Sequence, residues 1–171
     1  MPGTLAPMTG KHGTGRRSAG ILLHRRGGAG VEVLLGHMGG PFWARKDDGA
    51  WSIPKGEPDG DDEAPETTAR REFTEELGLP VPEGELVPLG EVRQAGGKVV
   101  HAFALAADLD PDQVVPGTFT MEWPPRSGQL REFPEIDRAA WFSLVQARVK
   151  IVKAQRELLD RLDGIVVFAQ H

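Results

Sequence analysis

Between Arg70 and Leu79 the chain reads RREFTEELGL, which crowds two arginines and three glutamates, Glu72, Glu75 and Glu76, into a short span. On a helix, like charges three or four residues apart repel by about 0.2–0.5 kcal/mol. At 100° per residue these carboxylates fall within about a 100° arc. Ala69, Phe73 and Leu77 form an apolar stripe beside them at i, i+4 spacing. The acids therefore border the core, where a merely solvated face would more often interleave lysine. Arg71 neighbours the acidic arc, and Arg70 points to solvent. These ten residues alone leave two readings open: a wet helix face, or a face that holds a cation. Carboxylate-only oxygen donors suit hard cations, magnesium or manganese, rather than zinc. Magnesium is usually shared with substrate phosphates, so the second reading implies a phosphorylated ligand.

The elements that must position these groups can be read from period and punctuation. AGILLHRR (19–26) and VEVLLGHM (31–38) flank GGAG and predict a hairpin. GGPFWARKDDGA (39–50) is a turn-rich loop, and AWSIPKG (50–56) a short strand ended by Pro54. After the acidic loop EPDGDDEAP (57–65), a helix runs from about Pro65 to Leu77, with Gly78 as its stop. ELVPLGEVRQ (85–94) and KVVHAFALAAD (98–108) predict a second hairpin, with Val99, His101, Phe103 and Leu105 on one face. His101 reads there as a structural histidine. The stretch 111–131 reads as a long loop, followed by a short strand within EIDRAAWFSL (135–144). Ser143 is then a plausible N-cap for one closing helix to about Leu162, whose apolar face comprises Leu144, Val145, Val149, Val152, Leu158, Leu159 and Leu162. Interleaved hairpins and helices predict one α/β domain over 18–171 with a mixed sheet. Residues 1–17 read as a disordered leader.

GEPDGDDEAPETTARREFTEELGL (56–79) resembles the Nudix box, G-x5-E-x7-R-E-U-x-E-E-x-G-U with U aliphatic. Glu63, Arg71, Glu72, Phe73 (taken as U), Glu75, Glu76, Gly78 and Leu79 fall in register. Gly56 departs from it, since one extra residue separates it from Glu63, and Asp62 sits at the regular spacing. Asp62 and Glu63 therefore compete to brace the loop. The resemblance implies an α/β/α sandwich from about Ser18 to Leu162. It also implies magnesium (or manganese) held by Glu75, Glu76 and the Gly56 carbonyl, with Glu72 a further ligand or the base. Arg71 would orient a box carboxylate. An acid from outside the box is implied too: Glu135 first, then Glu132, with Glu122 as a third candidate.

The same resemblance bears on substrate. Pro-Lys-Gly ahead of the box, in WSIPKGE (51–57), is similar to hydrolases of dinucleoside polyphosphates, inositol pyrophosphates and some nucleoside triphosphates. ADP-ribose hydrolases tend to have a small residue where Lys55 stands. Lys55 offers a point charge to a phosphate, and Arg45 and Lys46 extend cationic reach over the same mouth. Trp123, in a Pro-rich loop, is the aromatic expected to face substrate, with Trp43 also a candidate, whereas Trp51 and Trp141 read as core. The implied enzyme is a metal-dependent hydrolase of a nucleoside diphosphate linked to another group, most simply a dinucleoside polyphosphate. The alternatives are a MutT-like sanitiser of nucleoside triphosphates and a nucleotide-sensing module without turnover.

Composition narrows the partners. A chain of 171 residues buries roughly 70% of its unfolded surface, enough for a core without staples. A net charge of −5 disfavours a nucleic-acid partner, and no apolar run nears the roughly 20 residues of a membrane span. There is no cysteine, which fits a reducing cytoplasm and excludes disulfides and thiolate metal sites. The expected partner is a small nucleotide, and a homodimer is compatible with the pattern.

Overall fold

The computed structural model describes residues 16–169. Most of the expected leader thus lies outside the described residues. Its last member, Arg17, is instead the first residue of a strand, because its backbone continues the parallel ladder opposite Val99.

That strand, β1 (Arg17–Gly27), turns into β2 (Gly30–Met38), as the GGAG signal predicts. Two short strands follow, β3 (Trp51–Ser52) and β4 (Lys55–Gly56), on either side of Pro54. Proline therefore interrupts pairing rather than ending it. Trp51 and Ser52 pair with β2, whereas Lys55 and Gly56 pair with Gly20 and Ala19 of β1. Helix α1 (Pro65–Leu77) has proline in its first turn and ends at Gly78, whose φ of 68° is the left-handed cap that glycine adopts without a Cβ penalty. Strands β5 (Val87–Arg93) and β6 (Val99–Ala106) form the second expected hairpin.

The chain between 111 and 134 departs from expectation. In place of a long loop stands a separate two-stranded sheet, β7 (Thr118–Glu122) and β8 (Leu130–Pro134), with Thr118 opposite Pro134 and Glu122 opposite Leu130. Phe119, Met121 and Trp123 are half-buried while Thr118, Thr120 and Glu122 are exposed, a period of two hidden by the Pro and Gly residues around it. Strand β9 (Ile136–Ser143) then returns to pair with β2.

The closing helix also differs. Ser143 caps α2 (Leu144–Lys150) in a reciprocal capping box with Gln146, but the helix stops there. Ile151 is extended and bridges to Trp51, and the Val152 amide donates to the Trp51 carbonyl at 2.8 Å. A turn of 3-10 helix over Lys153–Gln155 leads into α3 (Arg156–Ala169). The break changes which residues are buried: Val145 is 80% exposed and Val149 47%, while Ala147 and Ile151 are buried.

The large sheet runs β3-β2-β1-β6-β5, with β9 also on β2 and β4 also on β1. Among the described strands only β1 and β6 pair in parallel, so the sheet is mixed. Ala69, Phe73 and Leu77 of α1 pack on one face with Ile21, Leu23, Leu34 and Phe103. Ala147, Leu158, Leu159 and Leu162 cover the other with Leu22, Val33, Leu35 and Ala102. This is the expected α/β/α sandwich. Phe73 is fully buried, worth about 2–3 kcal/mol of transfer free energy, and it fixes the rotation of α1 and hence the side on which its acids stand. No helix among the described residues is long and apolar enough to cross a membrane.

Candidate active site

The apolar stripe of α1 faces the sheet, so the helix delivers its acids to the rim between β4, β1 and the chain that follows β8. A cavity of about 320 Å³ opens there, lined by Glu72 and Glu76 from α1, Lys55, Gly56 and Glu57 from β4 and its exit, and Glu135 from the β8–β9 junction. Arg16 just ahead of β1, Arg17 and Ser18 of β1 and Lys98 before β6 complete it. Carboxylates thus face cations across one opening.

Glu76 is the most strained of these groups. Burial pushes its carboxyl up to about 8, with Glu135 and Glu72 adding to the rise, and Lys55 only partly offsets it. Lys55 is shifted down by the same burial, although Glu76 and Glu135 pull it the other way. Glu72 lies above its ordinary value through burial and then through Glu75. Glu135 is raised by burial as well. Here the helix carries negative charge into a place that solvates it poorly, which is a signature of sites awaiting a charged ligand.

One turn away the arrangement is opposite. Every N–H of the Arg71 guanidinium is used: Nε and Nη2 grip Glu63 at 2.9 and 2.8 Å, Nη2 also reaches the Glu57 carbonyl at 2.9 Å, and Nη1 meets Glu72 at 3.1 Å and Glu75 at 3.0 Å. Glu63 further accepts the Asp59 amide at 2.8 Å and the Thr68 hydroxyl at 2.7 Å. These bonds, Arg71 first, hold its carboxyl down at about 2. In this geometry Glu63, and not Asp62, carries the contacts that close the box loop; the extra residue is absorbed in the loop before it. Arg70 pairs outward with Glu66 at 3.5 Å.

Gly56 tests whether the donors suit a cation. A Cβ built there would lie 2.0 Å from Cδ of Glu72, so only glycine lets that carboxylate reach over β4. The Glu72 carboxylate is thereby brought against the Gly56 backbone, a cradle a methyl group would fill. Oxygen donors alone match magnesium or manganese. Among the described residues no three acids or histidines already form a closed metal cage. Arg71 draws Glu72 and Glu75 to itself, and the Lys55 amide bonds to Glu76.

The other predicted residues divide. Glu135 lines the cavity, whereas Glu132 is exposed on β8 and Glu122 accepts the Gly128 amide at 2.6 Å in the β7–β8 turn. Arg45 is exposed in the 39–50 loop, and neither it nor Trp123 is among the residues lining the cavity. Trp51 is buried, donating to Asp47 at 2.8 Å, and Trp141 donates to the Leu109 carbonyl at 2.9 Å. Trp43 packs against the core opposite α1, with Lys46 over its ring. His101 stacks on Phe103 within the sheet face. Sequence reasoning missed Arg16, Arg17 and Lys98. They sit at strand starts with no spacing to the box, and only the β1–β6 pairing gathers them.

Comparison with known proteins supports this architecture. The model of the NUDIX domain matches residues 14–162. Among solved structures, a C. elegans Ap4A hydrolase in a binary complex superposes with a TM-score of 0.63 at 20% identity, covering 88% of this chain and 98% of that one. The M. smegmatis Nudix hydrolase RenU gives 0.53 at 26% identity, over 90% and 88%. The NUDIX domain of Shewanella oneidensis NrtR, complexed with ADP ribose, gives 0.59 at 14% identity, over 88% and 87%. No curated protein matches the sequence.

Proposed function

This chain belongs to the NUDIX domain family and is a pyrophosphohydrolase of it; on that premise we propose that it cleaves a phosphoanhydride in a nucleoside diphosphate linked to a second group, most simply a dinucleoside polyphosphate. The observation that carries the reading is Lys55, a half-buried cation in Pro-Lys-Gly, facing Glu76 and Glu135 across the cavity with Arg17 and Lys98 on the same rim. A cation set opposite acids suits a ligand that is itself anionic and arrives at the acids through a metal. Likeness to an Ap4A hydrolase agrees with it.

Glu72, Glu75, Glu76 and the Gly56 carbonyl would hold the metal, magnesium or manganese. When bound it would supply Lewis-acid stabilisation of phosphate charge and acidify water. The remaining work falls to the chain. Arg71 fixes Glu72 and Glu75 in place through charge-assisted bonds. Lys55, with Arg16 and Arg17, orients and neutralises the phosphate chain. Water attacks phosphorus, its proton passes to Glu135 or Glu72, and the P–O bond to the departing phosphate breaks. Burial raises both acids from their ordinary value, in the direction a general base needs.

A MutT-like reading shares this machinery and differs in products. The test is turnover of diadenosine polyphosphates, oxidised and ordinary nucleoside triphosphates, ADP-ribose and nucleotide sugars, with magnesium, manganese or chelator. Metal-dependent cleavage of dinucleoside polyphosphates supports the proposal. Release of a monophosphate and pyrophosphate from triphosphates alone would replace it with the sanitising reading, and tight binding without turnover with a sensor.

A further inference from the structure

Glu135 reaches the acid cavity from a strand that carries one residue too many. Antiparallel β2 and β9 pair Gly36 with Ala139 and His37 with Arg138, but the next pair is Met38 with Ile136. Asp137 therefore has no opposite number in the ladder and forms a β-bulge. The bulge changes sides. Beyond it Ala139 and Trp141 pack on the α1 face of the sheet, and Ala140 and Phe142 on the face covered by α2 and α3, as alternation requires. Ile136 also packs on the α1 face, three residues from Ala139, which an unbroken strand would forbid. Asp137 makes up the difference. A strand without the extra residue would turn Ile136 away from α1 and carry the residue before it, Glu135, to the opposite side.

The bulge is held from both flanks. His37 is fully buried, and its Nδ1 lies 2.9 and 3.1 Å from the two carboxylate oxygens of Asp137. Its Nε2 lies 2.6 Å from the Lys46 carbonyl, and its ring meets Trp51 edge to face with centroids 5.2 Å apart. Both partners are acceptors, so a ring that serves them donates through each nitrogen, and loss of Asp137 would leave one buried donor bare. Arg138 adds a second bond to Asp137 at 3.2 Å. Two residues on from His37, the Gly39 amide donates to the Glu135 carbonyl at 3.1 Å, while the Glu135 amide donates to the Gly117 carbonyl at 2.7 Å. A Cβ at Gly39 would lie 2.0 Å from the Pro134 carbonyl oxygen, so only glycine lets the chain after β2 close on this turn. Neither His37 nor Asp137 is among the residues lining the cavity. They act on it only through the backbone that carries Glu135.

We propose that His37 and Asp137 are a positioning pair: the buried histidine pins the bulge, and the bulge turns Glu135 into the acid cavity. This deepens the proposed function and rests on it for Glu135 as an acid of the reaction. A general base serves only within hydrogen-bond reach of the water it deprotonates, so a shift of about 1 Å at this backbone costs on the order of 10²-fold in rate. The pair touches none of the cations that line the cavity, so it bears on the chemical step and leaves substrate binding alone.

The experiment uses the full chain with magnesium and diadenosine tetraphosphate. Asp137 is the residue to change, because its side chain is 31% exposed, enough for its replacement to leave folding intact, whereas His37 is fully buried. Asp137→Ala is expected to lower kcat about tenfold or more, with KM and the half-saturating magnesium concentration unchanged. Asp137→Asn keeps an acceptor for Nδ1 and should restore kcat to near that of the wild type. In a Glu135→Gln background Asp137→Ala should add no further loss, since both changes then remove one interaction. Crystal structures of the two Asp137 variants read placement without turnover: the Glu135 carboxylate should leave the cavity in Asp137→Ala and stay in Asp137→Asn. Equal losses with and without Glu135→Gln, a raised KM at constant kcat, or a lower melting temperature with full activity would each overturn the pair. So would Asp137→Ala crystals with Glu135 still in place, and an inactive Glu135→Gln would then keep Glu135 in the reaction. A displaced Glu135 beside a fully active Glu135→Gln would do the reverse, keeping the bulge as what aims this side chain and removing the side chain from the chemistry.

Discussion

Glu63 and Glu76 are both carboxylates of the same acidic segment, and the fold treats them oppositely. Glu63 is saturated by Arg71, Thr68 and the Asp59 amide and held down at about 2. Glu76, at the far end of α1, is pushed up to about 8 in a cavity where Lys55 only partly compensates it. The first arrangement is complete without a ligand and builds the loop. The second is left short of compensating charge at the cavity, which is where the proposed metal would bind. The direction of the shift, more than the presence of an acid, separates framework from function.

The largest effect should come from breaking the unsatisfied side. Glu76→Gln is expected to lower turnover by about 10³-fold, measured at saturating magnesium. It should also stabilise the metal-free protein. A carboxyl raised from 4.5 to about 8 in the fold makes stability full below 4.5 and progressively lower as pH rises towards 8. The variant's melting temperature in chelator should therefore exceed the wild type's at pH 8 and match it near pH 4.5. An equal or lower value at pH 8 would refute the strain assigned to Glu76.

Arg71→Ala attacks the satisfied side and should cost both properties. Glu63 loses its main partner and Glu72 and Glu75 their anchor, so melting temperature falls and activity drops by about 10- to 100-fold. Gly56→Ala sharpens the contrast, because the new methyl would meet the Glu72 carboxylate that Arg71 holds there. Activity should fall about tenfold or more, while the thermal midpoint stays near that of the wild type. Lys55→Met should act more narrowly, raising KM for polyphosphates several-fold, about 1 kcal/mol of charge-assisted contact, with a smaller change in kcat. The smallest effect concerns acid. Glu63 is depressed from 4.5 to about 2, so its stabilisation is present above 4.5 and lost as pH falls towards 2. Glu63→Gln should flatten that part of the acid-unfolding profile, leaving a wild type that loses more stability than the variant between pH 4.5 and 2.

How much of this was legible can be judged from particular stretches. The box helix, its glycine stop and both long hairpins follow from local period and turn chemistry, which act within a few residues. The β7–β8 hairpin was not, since Pro and Gly around WPPRSG mask an alternation only five residues long. Nor was the break after Lys150. Ile151 and Val152 continue a plausible helical stripe, and it is a partner 100 residues away, Trp51, that draws them into an extended bridge.

By itself, the sequence determined that three glutamates share an arc beside a buried stripe, that Arg71 neighbours that arc, and that Gly56 and Lys55 precede them. These are consequences of helical period and of spacing along one segment. Only the tertiary structure placed Glu135, and not Glu132 or Glu122, among the residues lining the cavity with Glu72 and Glu76. It alone brought Arg16, Arg17 and Lys98 to the cavity rim. The reason is physical: ionisation is set by desolvation and by neighbours from distant strands, so a carboxylate's charge state belongs to the packed sheet and not to its own helix.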